Sequence, residues 1–325
     1  MLSHSDATIK LAEVQAARNR IAGHVLRTPL VTSEAGTERA GIPVFLKLES
    51  LQRTGAFKVR GALSKVTSLT AEERRHGLVC ASSGNHGAGV AYAAARFGMR
   101  CSVVLPENPN LFKADAIEKL GAKIVKHGIT SDERQEKADQ IAEQCGYLQV
   151  HPFADPVVIA GQGTIGLEIL EDLPQLDEVY VPIGGGGLIS GIAVAIKEQS
   201  PDTRIYGVEP EYSNAMAEAL RQGAPTALPN VKTIADGLAA IVTEPLNLSI
   251  VSRYVDDVIL VSDEAILNAT LFLLERAKLL AEPSGAASFA GLLANPKRHG
   301  SAVVVISGGN VAIPKLEEYR QALSM

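Results

Sequence analysis

The stretch Val179-Tyr180-Val181-Pro182-Ile183-Gly184-Gly185-Gly186-Gly187-Leu188-Ile189-Ser190-Gly191-Ile192-Ala193-Val194-Ala195-Ile196 decides how the chain is read. It carries no charge and is long enough to suggest a membrane span. Pro182 and the glycine run oppose one continuous helix. The same residues read better as a strand (Val179 to Ile183), a glycine loop (Gly184 to Gly187) and a buried helix (Leu188 to Gln199). The backbone N–H groups of such a loop converge on a phosphate, and the helix N-terminus adds donors and a favourable dipole. Four glycines between two strongly apolar elements would be a wasteful way to build an ordinary turn. A nucleoside triphosphate loop needs Lys and Ser or Thr after the glycines, and Leu188-Ile189 stand there. The dinucleotide fingerprint also fails, because Ile189 or Ser190 occupies its last glycine. Glu209 does end the next strand, where an acid would bind ribose, so a nicotinamide-binding protein is the alternative of a different chemistry.

Outward from this unit, apolar strands alternate with helices. Strands are expected at Val44 to Leu48, Leu78 to Ala81, Cys101 to Leu105, Ala122 to Val125, Arg204 to Val208 and Ala302 to Ile306. Between them helical spacing covers Thr8 to Ala22, Val59 to Leu69, Ala88 to Phe97, Asn110 to Leu120, Asp132 to Cys145, Ile159 to Leu170 and Ala215 to Gln222. Asp263 to Leu280, with Asp263 as N-cap, and Gly285 to Leu293 complete the pattern. Thr70 and Glu73 are spaced as a capping box. Such alternation implies parallel sheet covered by helices.

The 325 residues carry 31 positive and 36 negative side chains, a formal charge of -5, so no basic surface invites nucleic acid. Aromatic residues are 4% and Trp is absent, which opposes a base-stacking platform. A hydrophobic share of 46% supports a large core. Cys80, Cys101 and Cys145 lack metal-ligand or redox spacing and read as buried thiols in a reducing, cytoplasmic setting. The N-terminus lacks the basic start and apolar block of a signal peptide.

In open α/β sheets ligands sit beyond the carboxyl ends of strands. Three polar loops hold that place here: Ser82-Ser83-Gly84-Asn85-His86-Gly87, Gly184 to Gly187, and Ser307-Gly308-Gly309-Asn310. The first can bind a carboxylate through its amides. Ser83 is either a proton carrier or a helix cap, and His86 reads as a packing residue. Ser307 ends an apolar strand, so its hydroxyl points into a site or caps a turn. A fourth stretch, Arg53-Thr54-Gly55-Ala56-Phe57-Lys58-Val59-Arg60-Gly61-Ala62, sets a lysine between apolar neighbours. Desolvation favours the neutral amine, which can attack an aldehyde. An ordinary helix-start lysine with a wet head is the plain alternative.

Together these segments, with Ile159-Ala160-Gly161-Gln162-Gly163-Thr164 and Thr233-Ile234-Ala235-Asp236-Gly237, resemble the fold-type II pyridoxal-phosphate enzymes. Within that family they are similar to serine/threonine dehydratases and serine racemase. The resemblance spans nearly the whole chain, with the motifs in family order. It implies an α/β fold of two open, mostly parallel twisted sheets with helices on both faces, like tryptophan synthase β. It implies a large cofactor domain over residues 1–67 and 147–325 and a small mobile domain over 68–146.

It also implies roles. Lys58 would carry pyridoxal 5'-phosphate as a Schiff base and then move the α-proton. Gly184, Gly185, Gly186 and Gly187, with the Leu188 amide, would hold the phosphate. Asn85 would bond the ring hydroxyl, Ser307 the ring nitrogen, and Phe57 would pack beneath the ring. The backbone of Ser82, Ser83, Gly84, Asn85 and His86 would hold the substrate carboxylate. The expected reaction is β-elimination from L-threonine or L-serine to a 2-oxo acid and ammonia. Ser83 in the racemase position keeps serine racemase or threo-3-hydroxyaspartate dehydratase as alternatives. Glu209 matches one acid of the divalent-metal site in racemase-like members, but no aspartate follows near Asn214-Ala215, so a divalent or monovalent cation is doubtful. A small-molecule amino-acid substrate, no nucleic acid, no membrane, and a homodimer or higher homo-oligomer are expected. Met325 comes too early for the regulatory domain of biosynthetic threonine dehydratases, so isoleucine control is not expected.

Overall fold

Strand β10 (Ala302–Ile306) sits where a fully apolar strand must, with helices over both of its faces. Ala302, Val304 and Ile306 enter one core cluster, while Val303 and Val305 enter another. Side chains alternate along a strand, so both faces are covered, as parallel sheets require. The computed structural model describes residues 9–82 and 84–322.

The large sheet contains β1 (Leu30–Thr32), β2 (Val44–Leu48), β7 (Glu178–Pro182), β8 (Arg204–Pro210), β9 (Asp257–Val261) and β10. Its order is β1-β2-β10-β7-β8-β9. Only β1 is antiparallel to its neighbour. The small sheet contains β3 (Leu78–Ala81), β4 (Cys101–Leu105), β5 (Lys123–Lys126) and β6 (Leu148–Gln149), ordered β5-β4-β3-β6 and parallel throughout. Its last strand lies just beyond residue 146, the expected edge of a small domain. The fold is the expected pair of mostly parallel sheets. The strand order of the large sheet reverses between β7 and β10, so Gly184–Gly187 and Ser307–Asn310 flank the crevice where such folds bind ligands.

Helix α1 (Leu11–Ile21) packs on α7 (Pro156–Asp172), and α2 (Glu34–Ala40) follows β1. Helix α3 (Lys58–Ser68) joins the two halves. Its Val59, Ala62, Leu63 and Val66 pack with small-sheet residues Leu78, Cys80, Val103 and Leu105. Helices α4 (Asn85–Arg96), α5 (Leu111–Lys119) and α6 (Ser131–Cys145) connect the small sheet. Helices α8 (Gly187–Lys197), α9 (Ala215–Gln222), α10 (Pro245–Tyr254), α11 (Asp263–Glu275), α12 (Pro283–Ala294) and α13 (Ile313–Ala322) surround the large one.

Several local expectations change. Helix α4 begins at Asn85, earlier than Ala88, because the Ser82 hydroxyl accepts from the Gly84 and Gly87 amides. Ser262, not Asp263, caps α11 by accepting from the Ala265 amide. Asp263 instead accepts from Thr233 Oγ1 and the Ile234 amide. That helix stops at Glu275 rather than Leu280. Lys278 is left-handed (φ 58°) and the Leu279 amide folds back onto the Leu273 carbonyl, a stop signal glycine did not announce. Cys80 and Cys101 are buried, but Cys145 is exposed at the end of the polar α6. The stretch that suggested a membrane span is β7, its loop and the buried α8. Among the described residues no helix is long and apolar enough to cross a membrane.

A buried charge network fixes α3. The Arg60 guanidinium donates to both oxygens of Glu49 and both of Glu168 at 2.7–2.9 Å. Lys47 Nζ adds a contact to Glu168 at 2.6 Å. Arg60, Lys47 and Glu49 are fully buried. Removing one partner of such a network leaves uncompensated buried charge, so Arg60→Leu should cost about 3–5 kcal/mol in urea unfolding. A loss under about 1 kcal/mol, the size of an exposed pair, would contradict this assignment.

Candidate active site

Because α3 begins at Lys58, the lysine sits at the helix entrance with its amine turned inward. Its Nζ donates to the Pro152 carbonyl at 2.7 Å and lies 5.1 Å from the Phe57 ring centroid. The residue as a whole is half-buried, but its amine is desolvated, which lowers its pKa to about 8. Above that pH the neutral nucleophile predominates. The plain reading of a wet surface lysine is therefore excluded.

The Pro152 carbonyl is itself held. His151 Nδ1 accepts from the Phe153 and Ala154 amides at 3.3 and 2.9 Å, which makes a tight turn. Burial and the nearby Lys58 lower the His151 pKa, which favours the neutral acceptor. Phe153 then reaches the glycine loop. A Cβ on Gly185 would lie 2.4 Å from the Phe153 ring, and one on Gly187 would lie 2.7 Å from the Phe153 carbonyl. Gly186 is left-handed (φ 93°) and caps α8. The first amides of α8, Gly187 and Leu188 among them, have no acceptor within the helix and form a cradle for an anion. Asn247 Oδ1 is buried without a partner, and its Nδ2 donates to the Phe153 carbonyl.

The other two loops close the crevice. The Phe57 amide donates to the Ser307 carbonyl at 3.0 Å. Ser307 is 4% exposed and its hydroxyl makes only a long 3.4 Å contact to the Ser284 carbonyl. Asn85 opens α4, and its Oδ1 accepts from Asn310 Nδ2 at 2.8 Å. Of the amides expected to hold the carboxylate, that of Ser82 instead donates to the Val104 carbonyl at 3.1 Å and that of Gly84 to the Ser82 hydroxyl, whereas those of Asn85 and His86 are first-turn amides of α4 without intrahelical acceptors. Ser83 lies outside the described residues. His86 Nε2 donates to the Val150 carbonyl at 2.8 Å, and burial followed by Lys58 pushes its pKa down to about 3. It is a neutral packing residue. A cleft of about 460 Å³, lined in part by Arg53, Tyr92 and Lys113, borders the site on the Asn85 side.

Glu209 stands apart. It is fully buried, and its oxygens accept from the Met216 and Ala217 amides at the start of α9, so neither is turned toward a ribose or a cation. Burial raises its pKa to about 8. Among the described residues no group of three or more His, Cys, Asp or Glu is placed to hold a metal.

Two charged residues went unseen in the sequence. Glu282 ends the segment before α12 and accepts from Asn85 Nδ2 at 2.5 Å. Lys113 of α5 pairs with Glu282 and Asp236. Pro283 marks a helix start and so could have flagged Glu282 as its N-cap. Lys113 carries no local signal.

An amine of lowered basicity, an anion cradle at a helix N-terminus and a polar crevice between them define a site for an aldehyde-bearing, phosphorylated cofactor. The chain belongs to the pyridoxal-phosphate dependent enzyme family, whose model matches residues 21–309. L-threonine ammonia-lyase of Thermotoga maritima is 44% identical over 310 residues, 95% of this chain and 77% of that protein. The catabolic L-threonine dehydratase TdcB of Escherichia coli K12 is 40% identical over 319 residues, 96% of each chain. The solved structure of maize serine racemase superposes with a TM-score of 0.93 at 35% identity, covering 98% of each chain.

The contact of Phe153 with Gly185 yields a test. Gly185→Ala must displace the ring, so equilibrium binding of pyridoxal phosphate should weaken by about tenfold or more. Adding Phe153→Ala should restore part of the affinity. Binding of the single variant at the parental affinity would show that the loop does not need this close approach.

Proposed function

We propose that this chain is a pyridoxal-phosphate-dependent ammonia-lyase that converts a hydroxy amino acid, L-threonine or L-serine first, to a 2-oxo acid and ammonia. The observation that carries the reading is the desolvated Lys58 amine beside an anion cradle of free helix amides. The substrate class draws support from the threonine ammonia-lyase and dehydratase relatives, which align over nearly the full chain.

In this reading Lys58 would hold the cofactor through its aldehyde. The Gly184–Gly187 amides and that of Leu188 would hold the phosphate. Asn85 would donate to the ring hydroxyl, Ser307 would serve the ring nitrogen, and Phe57 would pack against the ring. When bound, the cofactor supplies an electron sink for the pair left at the substrate α-carbon. The Asn85 and His86 amides, with the α4 dipole, orient the substrate carboxylate. Lys58 Nζ, neutral above about pH 8, takes the α-proton on its face of the site. Ser307 would offer the ring nitrogen a hydroxyl rather than a carboxylate, which suits elimination over transamination. Ser83 is the proton carrier for the opposite face should the chain racemise serine.

The two-domain reading and a homo-oligomer belong to this proposal. Residues 68–146, with β6 added, would form the small mobile unit. Exposed Leu51 and Leu280 lie on segments that meet at Gly309 and would supply apolar surface for a second copy. Buried, unpaired Cys80 and Cys101 suit a reducing cytoplasm.

The assay is release of ammonia and 2-oxo acid from L-threonine, L-serine and L-threo-3-hydroxyaspartate, with the handedness of the remaining substrate determined. Fast release from L-threonine or L-serine, lost by about a thousandfold or more in Lys58→Ala, is expected. Accumulating D-serine with little release would replace the lyase reading by a racemase, and release from the hydroxyaspartate alone would change the substrate.

A further inference from the structure

The Asn85 amide is clamped from both sides, by Asn310 of the strand-end loop and by Glu282, which lies outside the motifs. Asn310 Nδ2 spends its hydrogens on the Thr54 carbonyl at 2.7 Å and on Asn85 Oδ1 at 2.8 Å. Asn85 Oδ1 is therefore the acceptor, and its NH₂ must face the other way. There it meets Glu282 Oε1 at 2.5 Å. One N–H is taken by Glu282, which leaves the second for a ligand oxygen.

Glu282 is 1% exposed and could not hold this place alone. A buried carboxylate without a cation takes up a proton. Lys113, 6% exposed, lies 3.0 Å from Glu282 Oε2 and 2.8–2.9 Å from the Asp236 carboxylate. Burial raises the Glu282 pKa, and Lys113 is the largest opposing influence. Gly308 makes room: a Cβ there would lie 2.4 Å from Glu282 Oε1. The Glu282 amide also donates to the Gly308 carbonyl, which seats the carboxylate beside the Ser307 loop. Asn85 and Lys113 come from α4 and α5 beside the small sheet; Glu282, Asp236 and Asn310 come from the large half.

We propose that Glu282, charge-compensated by Lys113, is the positioning residue that holds the Asn85 amide against Asn310 in one orientation and would thereby present its remaining N–H to the cofactor ring oxygen. The inference rests on the cofactor site proposed above. Lys113 and Asp236 make it conditional on α5 lying against the large half, so the ring contact is complete only when the two halves are together.

The test is a double-mutant cycle on the holoenzyme, read by cofactor dissociation and by the visible absorbance of the substrate-free protein. Glu282→Ala should weaken cofactor retention by about tenfold, the value of one well-made hydrogen bond, and shift the absorbance maximum. Asn85→Ala should do the same. The double variant should be no worse than Asn85→Ala alone, because Glu282 acts through Asn85. Lys113→Met should give the Glu282→Ala spectrum. Retention and spectrum unchanged in Glu282→Ala, or losses that multiply in the double variant, would overturn the proposal. If Glu282→Ala does not fold, Glu282→Gln serves in the same cycle, since its NH₂ must oppose either the Lys113 ammonium or the Asn85 amide. A parent protein with no visible band would instead overturn the cofactor reading of Lys58.

Discussion

The buried guanidinium of Arg60 is the fixed point on which the reactive amine depends. Arg60 is two residues beyond Lys58, and its bonds to Glu49 and Glu168 tie α3 to the end of β2 and to α7. A helix held by four such bonds can neither slide nor turn about its axis. Lys58 Nζ is thus delivered to one carbonyl, that of Pro152, in surroundings that strip its water. The ion network is itself isolated from the amine: every cation in it has its own carboxylates. Lys58 has none, so desolvation is the one cause of its lowered basicity.

The same helix belongs to both halves of the molecule. Its Val59, Ala62 and Leu63 fill the core under the small sheet, while its charged face is locked into the large half. The crevice lies at the reversal of strand order between β7 and β10. Backbone from β7 supplies amides and backbone from β10 supplies Ser307, and α4 approaches from the small sheet. Lys113 and Glu282 then join α5 to α12 across that crevice at 3.0 Å. Charges of opposite sign thus pair across it in buried surroundings, where their attraction is stronger than in water.

The sequence made the chemistry-bearing loops legible because each carries a local constraint. Four glycines between apolar elements, a lysine between Phe57 and Val59, and a serine at the end of an all-apolar strand each violate an ordinary pattern. Helix ends set by tertiary contacts were not legible. The close of α11 depends on Lys278 accepting a left-handed conformation, and Asp263 was drawn from its cap by Thr233. Glu209 stands at a strand end where an acid could meet ribose or a cation, but α9 folds over it and takes both oxygens. Glu282, Lys113 and Phe153 act only through partners far away in the chain, so no spacing rule reaches them. Glu282 and Asn85, for example, are separated by 197 positions.

The central claim, that the desolvated Lys58 amine is what captures the cofactor, is tested most directly by trapping. Cofactor-free protein would be mixed with pyridoxal phosphate over a range of pH, reduced with borohydride and mapped by peptide mass spectrometry. The reduced adduct should lie on Lys58, with a capture rate that rises to half its maximum near pH 8, the pKa set by burial of the amine. An adduct on any other lysine, or a midpoint near the ordinary lysine value of about 10.4, would contradict it.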